Sequence, residues 1–293
     1  MKFDSVQIGN HTFKWGSKTY VMGILNVTPD SFSGDGIIAR GNAVQFALEQ
    51  AKDFLANGAD ILDIGGESTR PGSQPVNADE ELERVIPVID AIKKEFPEAL
   101  ISIDTYKARV AEAAFKSGAQ ILNDVWALRA DPELAPVAAA FRVPVILMHN
   151  RSNPASVEVH EQVGNAYIGS TFGDLMGDVK RELLVSVELA RQAGIEESHM
   201  ILDPGIGFGK TREHNLELIN RLDEICALGF PVLLGPSRKS FIGFTLDLPA
   251  DQRVEGTAAT VAVGIMRGAD IIRVHDVKEM VRVAKMTDAI VRK

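Results

Sequence analysis

The sequence predicts a single (β/α)8 barrel over residues 1–293, with a β-hairpin at residues 1–20 closing one end. Three observations predict it. Eight short runs rich in Ile, Leu and Val, at 21–25, 60–64, 100–103, 119–122, 143–147, 199–202, 231–234 and 269–274, read as strands buried on both faces. Helical patterns alternate with them at 41–57, 78–95, 107–117, 132–141, 172–193, 212–228, 253–267 and 276–291. Most runs end in polar or glycine-rich residues, and eight such pairs in about 270 residues match the barrel in count and size.

In the hairpin, Gly9-Asn10 is the turn, and Phe3, Val6, Ile8, Phe13 and Trp15 partly alternate. The first barrel strand, Val21 to Leu25, opens abruptly into Asn26, Thr28, Pro29, Asp30, Ser31 and Ser33, where proline and the following glycines end regular structure. Asn77-Ala-Asp-Glu80 opens one helix, and Gly118 and Gly194 close two others. Glycine then alanine recurs before strands at Gly58-Ala59, Gly118-Ala119 and Gly268-Ala269, an echo of one repeated joint. A doubly wound dinucleotide fold would carry Gly-x-Gly-x-x-Gly after the first strand, and Gly23-Ile-Leu-Asn26 does not.

A formal charge of −9 argues against a nucleic-acid partner, since phosphate binding needs a basic face. No run of about 18 apolar residues suggests a membrane span, and the first residues lack the apolar core of a signal peptide. Cys226 is the only cysteine, so no internal disulfide forms, and a reducing, cytoplasmic setting is expected. The thiol itself reads as a small residue on a helix flank.

Barrel enzymes carry their chemistry at the carboxyl ends of the strands. Here those positions hold Asn26, Asp63 with Glu67 to Arg70, Asp104, Asn123-Asp124, Met148-His149, Asp203, Ser237 to Ser240, and Arg273-Val-His275. Asp104, Asp203 and Asn123 offer acceptors and an amide that suit the edge of a heterocycle bearing an amino group and ring nitrogens. For the two acids a salt bridge or a helix cap is the plainer use, with Asp104-Thr105 placed to cap the following helix. Val125, Met148 and Phe208 supply apolar walls. Arg70, Lys239 and Arg273 bring positive charge to the same rim, and His275 pairs with Asn26 across the barrel as an anion contact.

Ile201 to Thr211 superficially resembles a phosphate-binding loop. Gly205 and Gly209 are, however, one residue too close, and Pro204 stands where the first glycine belongs, so a nucleotide triphosphatase is excluded. The glycines would let the backbone pass close to a flat ligand beside Asp203, or simply make a tight turn. The six histidines show no zinc spacing, whereas magnesium accepts one protein oxygen and completes its shell with water and phosphate.

Together, Gly23-Ile-Leu-Asn-Val-Thr-Pro-Asp-Ser-Phe-Ser33, Asp63-Ile-Gly-Gly-Glu-Ser-Thr-Arg-Pro-Gly72, Ser102-Ile-Asp-Thr105, Leu122-Asn-Asp124, Leu202 to Lys210, Ser237-Arg-Lys-Ser240 and Arg273-Val-His-Asp276 closely resemble the dihydropteroate synthase family of pterin-binding barrels. The resemblance runs from about residue 20 to the end, with the motifs in family order. It implies joining of 6-hydroxymethyl-7,8-dihydropterin pyrophosphate to 4-aminobenzoate, with release of pyrophosphate, in folate synthesis. By motif it implies that Asp104, Asn123, Asp203 and Lys239 hold the pterin with Arg273 stacked on it, and that Asn26 contacts Mg2+ and the pyrophosphate, aided by Arg273 and His275. It further implies an aminobenzoate pocket shaped by Phe32, Ser33, Thr69, Arg70, Pro71, Lys239 and Ser240, and a homodimer formed through the later helices. Asp104, Lys239, Arg273 and His275 would carry the catalysis.

Two departures stand out. The family's Ser-Phe-Ser-Asp-Gly-Gly is here Ser31-Phe-Ser-Gly-Asp-Gly36, and its Met-His-Met-x-Gly is Met148-His-Asn-Arg-Ser-Asn153. The rival readings are a pterin-binding methyltransferase barrel and a non-catalytic pterin-binding barrel. The first would not need Arg70-Pro71 or Lys239-Ser240, and the second would have lost polar strand ends.

Overall fold

Eight parallel strands form one sheet: β3 (Tyr20–Asn26), β4 (Ile61–Gly65), β5 (Ile101–Asp104), β6 (Ile121–Asp124), β7 (Val145–Met148), β10 (Met200–Asp203), β11 (Leu233–Leu234) and β12 (Ile271–Val274). Each strand pairs with the next in sequence, β12 pairs with β3, and a parallel bridge between Leu202 and Val232 joins β10 to β11 and completes the ring. The computed structural model describes residues 4–28, 40–153, 156–160 and 163–292. Two further strand pairs flank the barrel: β1 (Ser5–Ile8) with β2 (His11–Lys14), and β8 (Val157–Glu158) with β9 (Ala166–Tyr167).

The helices are α1 (Arg40–Ala56), α2 (Ala78–Glu95), α3 (Ala108–Lys116), α4 (Leu134–Phe141), α5 (Leu175–Gln192), α6 (Arg212–Asn220), α7 (Asp223–Cys226), α8 (Ser240–Leu246), α9 (Val254–Met266) and α10 (Val277–Val291). The expected helix over 212–228 is two pieces, α6 and α7, and α8 was not foreseen. Asn77 caps α2 by accepting from the Glu80 N–H at 2.9 Å, as its spacing predicts. The repeated glycine–alanine joint is real and has one cause. Gly58, Gly118 and Gly268 all have φ near +100°, at +95°, +108° and +103°. This lets Ala59, Ala119 and Ala269 donate back to Phe54, Ala114 and Gly264, five residues earlier.

Side chains alternate inward and outward along each strand. Ile61, Ile121, Ile146, Ile201 and Ile271 face inward and form the floor of the barrel. The residues between, such as Leu62, Leu122, Leu147, Leu202 and Ile272, face the helices. Two positions further along the inward face stand Asp63, Asn123, Met148, Asp203 and Arg273. The strands therefore run from an apolar floor to a polar mouth.

The hairpin packs Val6, Ile8, Phe13 and Trp15 into the floor cluster, closing the amino end as expected. Phe3 lies outside the described residues. Phe13 is 2% exposed and its ring centroid sits 4.3 Å from Tyr20 and 5.6 Å from Trp15. Phe13→Ala should therefore lower the unfolding free energy by roughly 3–5 kcal/mol. Urea denaturation checks this, and a loss below about 1 kcal/mol would mean that the plug contributes little to the core.

Candidate active site

Arg273 points inward from β12 and binds two acids from neighbouring strands. Its Nε donates to Asp63 Oδ2 at 2.6 Å and its Nη2 to Asp104 Oδ2 at 2.6 Å. Asn123 Nδ2 donates to the same Asp63 oxygen at 3.1 Å. Burial works against the charge of Arg273, but Asp63 and Asp104 outweigh it and hold the guanidinium protonated. Burial pushes the Asp104 carboxyl up, with Arg273 pulling it down. The salt-bridge use of Asp104 is thus observed and the helix-cap use is not. Thr105 Oγ1 accepts from Lys107 N–H at 3.2 Å, and the first turn of α3 takes Asp131 instead.

Asp203 is buried at the end of β10, and burial raises its pKa. One of its oxygens accepts the Gly205 N–H at 2.7 Å. Lys239 donates to the Ile206 carbonyl and lies over the Phe208 ring, 4.7 Å from its centroid. Burial lowers the Lys239 pKa to about 8, with Asp203 opposing. Val125, Met148 and Phe208 form one apolar patch, with Tyr106, Trp126 and Tyr167 packed against it. An apolar patch ringed by acids, an amide and two cations suits a flat heterocycle.

His275, directly after β12, and Asn26, at the end of β3, belong to adjacent strand ends and do not lie across the barrel as the sequence reading had it. The cause is closure: in an eight-stranded ring the last strand lies beside the first. Ser237 Oγ accepts the His275 backbone N–H at 3.1 Å and lies 3.0 Å from its Nδ1. The serine hydroxyl is thus free to donate to Nδ1, which leaves Nε2 as the N–H. Burial first, then Arg273, Arg238 and Arg70, lower the His275 pKa to about 3, so the ring is neutral. Asn26, Thr28, Ser68, Arg70, Pro71, Gly72 and Ser73 line one pocket, which brings Asn26 of the expected diphosphate residues together with Arg70 and Pro71 of the expected aminobenzoate residues. Arg70 is exposed, and Ser240 is partly buried at the start of α8. Arg238 is taken up by Asp276, with its Nε 2.9 Å from Oδ2. Phe32, Ser33 and Asp35 lie outside the described residues.

The glycine-rich loop makes a close approach to its own backbone. A Cβ on Gly205, where φ is +68°, would lie 1.8 Å from the His149 carbonyl oxygen, and one on Gly209 would lie 2.4 Å from Arg151 backbone. Lys210 fills the loop, donating to the Gly205 and Phe208 carbonyls at 2.9 and 3.1 Å and to His149 Nδ1 at 2.9 Å. Burial lowers its pKa to about 7. Burial, with Lys210 beside it, lowers His149 to about 2, so the ring is neutral and its Nε2–H donates to Glu182 at 3.0 Å.

Sequence reasoning placed Asp63 at a strand end and Lys210 in the glycine-rich motif but gave neither a role in the site. Asp63 had a signal, an acid inside Ile61-Leu-Asp-Ile64 two places past an inward isoleucine. Cys226 is a flank residue as expected, with burial pushing its thiol up to about 12. Among the described residues no helix is long and apolar enough to cross a membrane, and no three His, Cys, Asp or Glu side chains cluster as a metal cage.

A family model described as pterin binding enzyme matches residues 22–275. The chain is 49% identical over 289 residues to a dihydropteroate synthase of Clostridium beijerinckii, covering 98% of this chain and 100% of that one. Among solved structures, the dihydropteroate synthase of Clostridium difficile determined in the presence of pteroic acid superposes with a TM-score of 0.86 at 48% identity, covering 96% of this chain and 100% of that one. That of Xanthomonas albilineans with 4-aminobenzoic acid gives 0.87 at 38% identity, with 98% of each chain covered.

Gly205→Ala should destabilise the protein by at least about 3 kcal/mol, because both the dihedral angle and the His149 carbonyl exclude a side chain. Thermal unfolding checks it, and a variant melting like the parent would show that the two loops can separate freely.

Proposed function

The chain belongs to the pterin-binding enzymes and, within them, to the dihydropteroate synthases, and we propose that its mouth joins a dihydropterin methyl diphosphate to 4-aminobenzoate as follows. The observation that carries the reading is the convergence of Asp104, Asn123, Asp203, Lys239 and Arg273 on the Val125, Met148 and Phe208 patch. Asn123 and Asp203 would take the hydrogen-bonding edge of the pterin, and Lys239 its carbonyl side. Arg273, its edge already held by Asp63 and Asp104, presents a fixed guanidinium plane for the ring to stack on.

A dissociative path fits these groups. The methylene C–O bond breaks, its electron pair leaves with the diphosphate, and the cation spreads into the pterin ring. The amine lone pair of 4-aminobenzoate then forms the C–N bond, and the amine loses a proton to solvent. Asp104 stabilises the cation, while Arg273 and the neutral His275 N–H bind the departing oxygens. Arg70, Pro71, Thr69 and Ser240, with Phe32 and Ser33 from the segment outside the described residues, would frame the aminobenzoate. No side chain is needed as a base to activate an aryl amine that is neutral at pH 7.

The donor set fits a magnesium ion. Asn26 offers a neutral carboxamide oxygen with no hydrogen-bond partner among the described residues, beside the pocket that holds Arg70. Asn26 would hold the ion, which when bound would offset the negative charge of the diphosphate.

We also place the chain in the cytoplasm, on its single cysteine, and in a homodimer. Ala258, Val261 and Ile265 of α9 pack on the barrel, so they are not the contact. Met266, Met286 and Ile290, exposed by 64%, 64% and 62% on α9 and α10, support one instead. Sedimentation should give two copies per particle, and Met286→Glu with Ile290→Glu should give one; a monomeric parent would rule the dimer out.

Purified protein with magnesium, the pterin diphosphate and labelled 4-aminobenzoate should yield labelled dihydropteroate. The rate should fall as pH rises through about 8, where Lys239 loses the proton that makes it a cation over Phe208. No product from folded protein would overturn the reading, and a rate level to pH 10 would remove Lys239 from it.

A further inference from the structure

The loop between β7 and α5 departs from the family pattern after His149, and its hairpin, β8 with β9, lies against the site. It is held on two sides. On one, Arg253, 2% exposed before α9, donates from Nη2 to the Val163 carbonyl at 2.5 Å. The His160 ring also meets Phe244 of α8 edge-on, with centroids 4.7 Å apart. On the other, the Tyr167 hydroxyl donates to the Thr69 carbonyl at 3.0 Å, and Asn165 Nδ2 to the Pro71 carbonyl at 3.4 Å. Between the two, the Tyr167 ring packs on the apolar patch, with its centroid 6.0 Å from that of Phe208.

The segment that carries Arg70 has little else to hold it. Its base is fixed, since Glu67 binds Tyr106 and Lys107, and Arg84 donates to the Gly66 carbonyl at 2.7 Å. From Ser68 to Ser73, however, the other hydrogen bonds are local ones, from the Ser73 hydroxyl and the turn it closes. Among the described residues, Tyr167 and Asn165 make the only hydrogen bonds to this stretch from elsewhere in the chain.

We propose that Tyr167, assisted by Asn165, is a positioning residue for the aminobenzoate. Its hydroxyl fixes the Thr69–Pro71 backbone, so that Arg70 and Pro71 already face the pocket they share with Asn26. The inference rests on the synthase reading above. Without the tie, the second substrate must order this stretch as it binds, and that cost falls on its affinity. The pterin cluster around Arg273 does not depend on the tie, and the ring of Tyr167 would survive as phenylalanine.

Tyr167→Phe should raise the KM for 4-aminobenzoate by roughly 3- to 10-fold, the usual worth of one hydrogen bond, and leave the KM for the pterin diphosphate unchanged. Asn165→Ala should act in the same direction and less. Val159→Ser, at a position 76% exposed on the same hairpin, should do nothing. Amide exchange at residues 69–73 should quicken in Tyr167→Phe. An unchanged aminobenzoate KM overturns the proposal, and so does an equal rise in both KM values. If the parent protein makes no dihydropteroate, the synthase reading fails, and unchanged exchange at 69–73 would then overturn the tie separately.

Discussion

A guanidinium inside a barrel has to be paired, and the pairing of Arg273 with Asp63 and Asp104 is the constraint on which the rest of the site depends. An isolated charge there would cost several kcal/mol, and removing one partner would strand the others. The pairing fixes strand ends that are distant in sequence. β12 must lie close enough to β4 and β5 for one side chain to reach both, across β3. It also fixes Asn123, whose amide shares the Asp63 oxygen. Asp63, Asp104 and Asp203 share the mouth with two cations, Arg273 and Lys239, and burial raises the Asp104 and Asp203 carboxyls while the cations oppose it. Carboxyl groups whose ionised form is held back by burial favour a ligand on which positive charge develops, because that charge stabilises the ionised form. The rim, with Arg70 and the neutral His275, is suited to the anion that leaves.

The floor supports this arrangement. An aqueous barrel would screen the ion pairs and let water reach a reactive cation. Instead, one layer of isoleucines and the hairpin aromatics fill the amino end, and the polar residues begin only two positions further along each strand. The short period of the strand therefore separates stability from chemistry within a single turn of sequence.

That same period explains what was legible in the sequence. Buried runs of Ile, Leu and Val marked all eight strands within about two residues, and the glycine–alanine joints marked where several helices stop. Which face a polar residue takes was harder to read. Asn123 and Asp124 are neighbours that end the same strand, and Asn123, the one chosen for the heterocycle edge, faces into the barrel and bonds to Asp63. Asp124 faces away and binds the N–H groups of Trp126 and Leu128 at 2.8 and 2.5 Å. Asp63 was placed with the other strand ends and given no role, because nothing local shows that its partner is Arg273, 210 residues away. Strands of two residues, as in β8 and β9, have no period to read, and α8 is too short to show one.

The glycine-rich loop shows how a motif can be right for another reason. Its glycines suggested room for a ligand, and the room is filled by the backbone of residues 149–152. Asn150 accepts from Ser152 N–H at 2.8 Å and donates to the Val125 carbonyl at 3.0 Å, while Arg151 binds Glu182 and lies on Phe172. The residues that depart from the family pattern thus form a knot that backs the Asp203 loop on one side and launches the hairpin on the other. A change of sequence there alters the scaffold behind the pterin and the tie to the Arg70 segment together. It leaves untouched the strand-end residues that would meet the pterin.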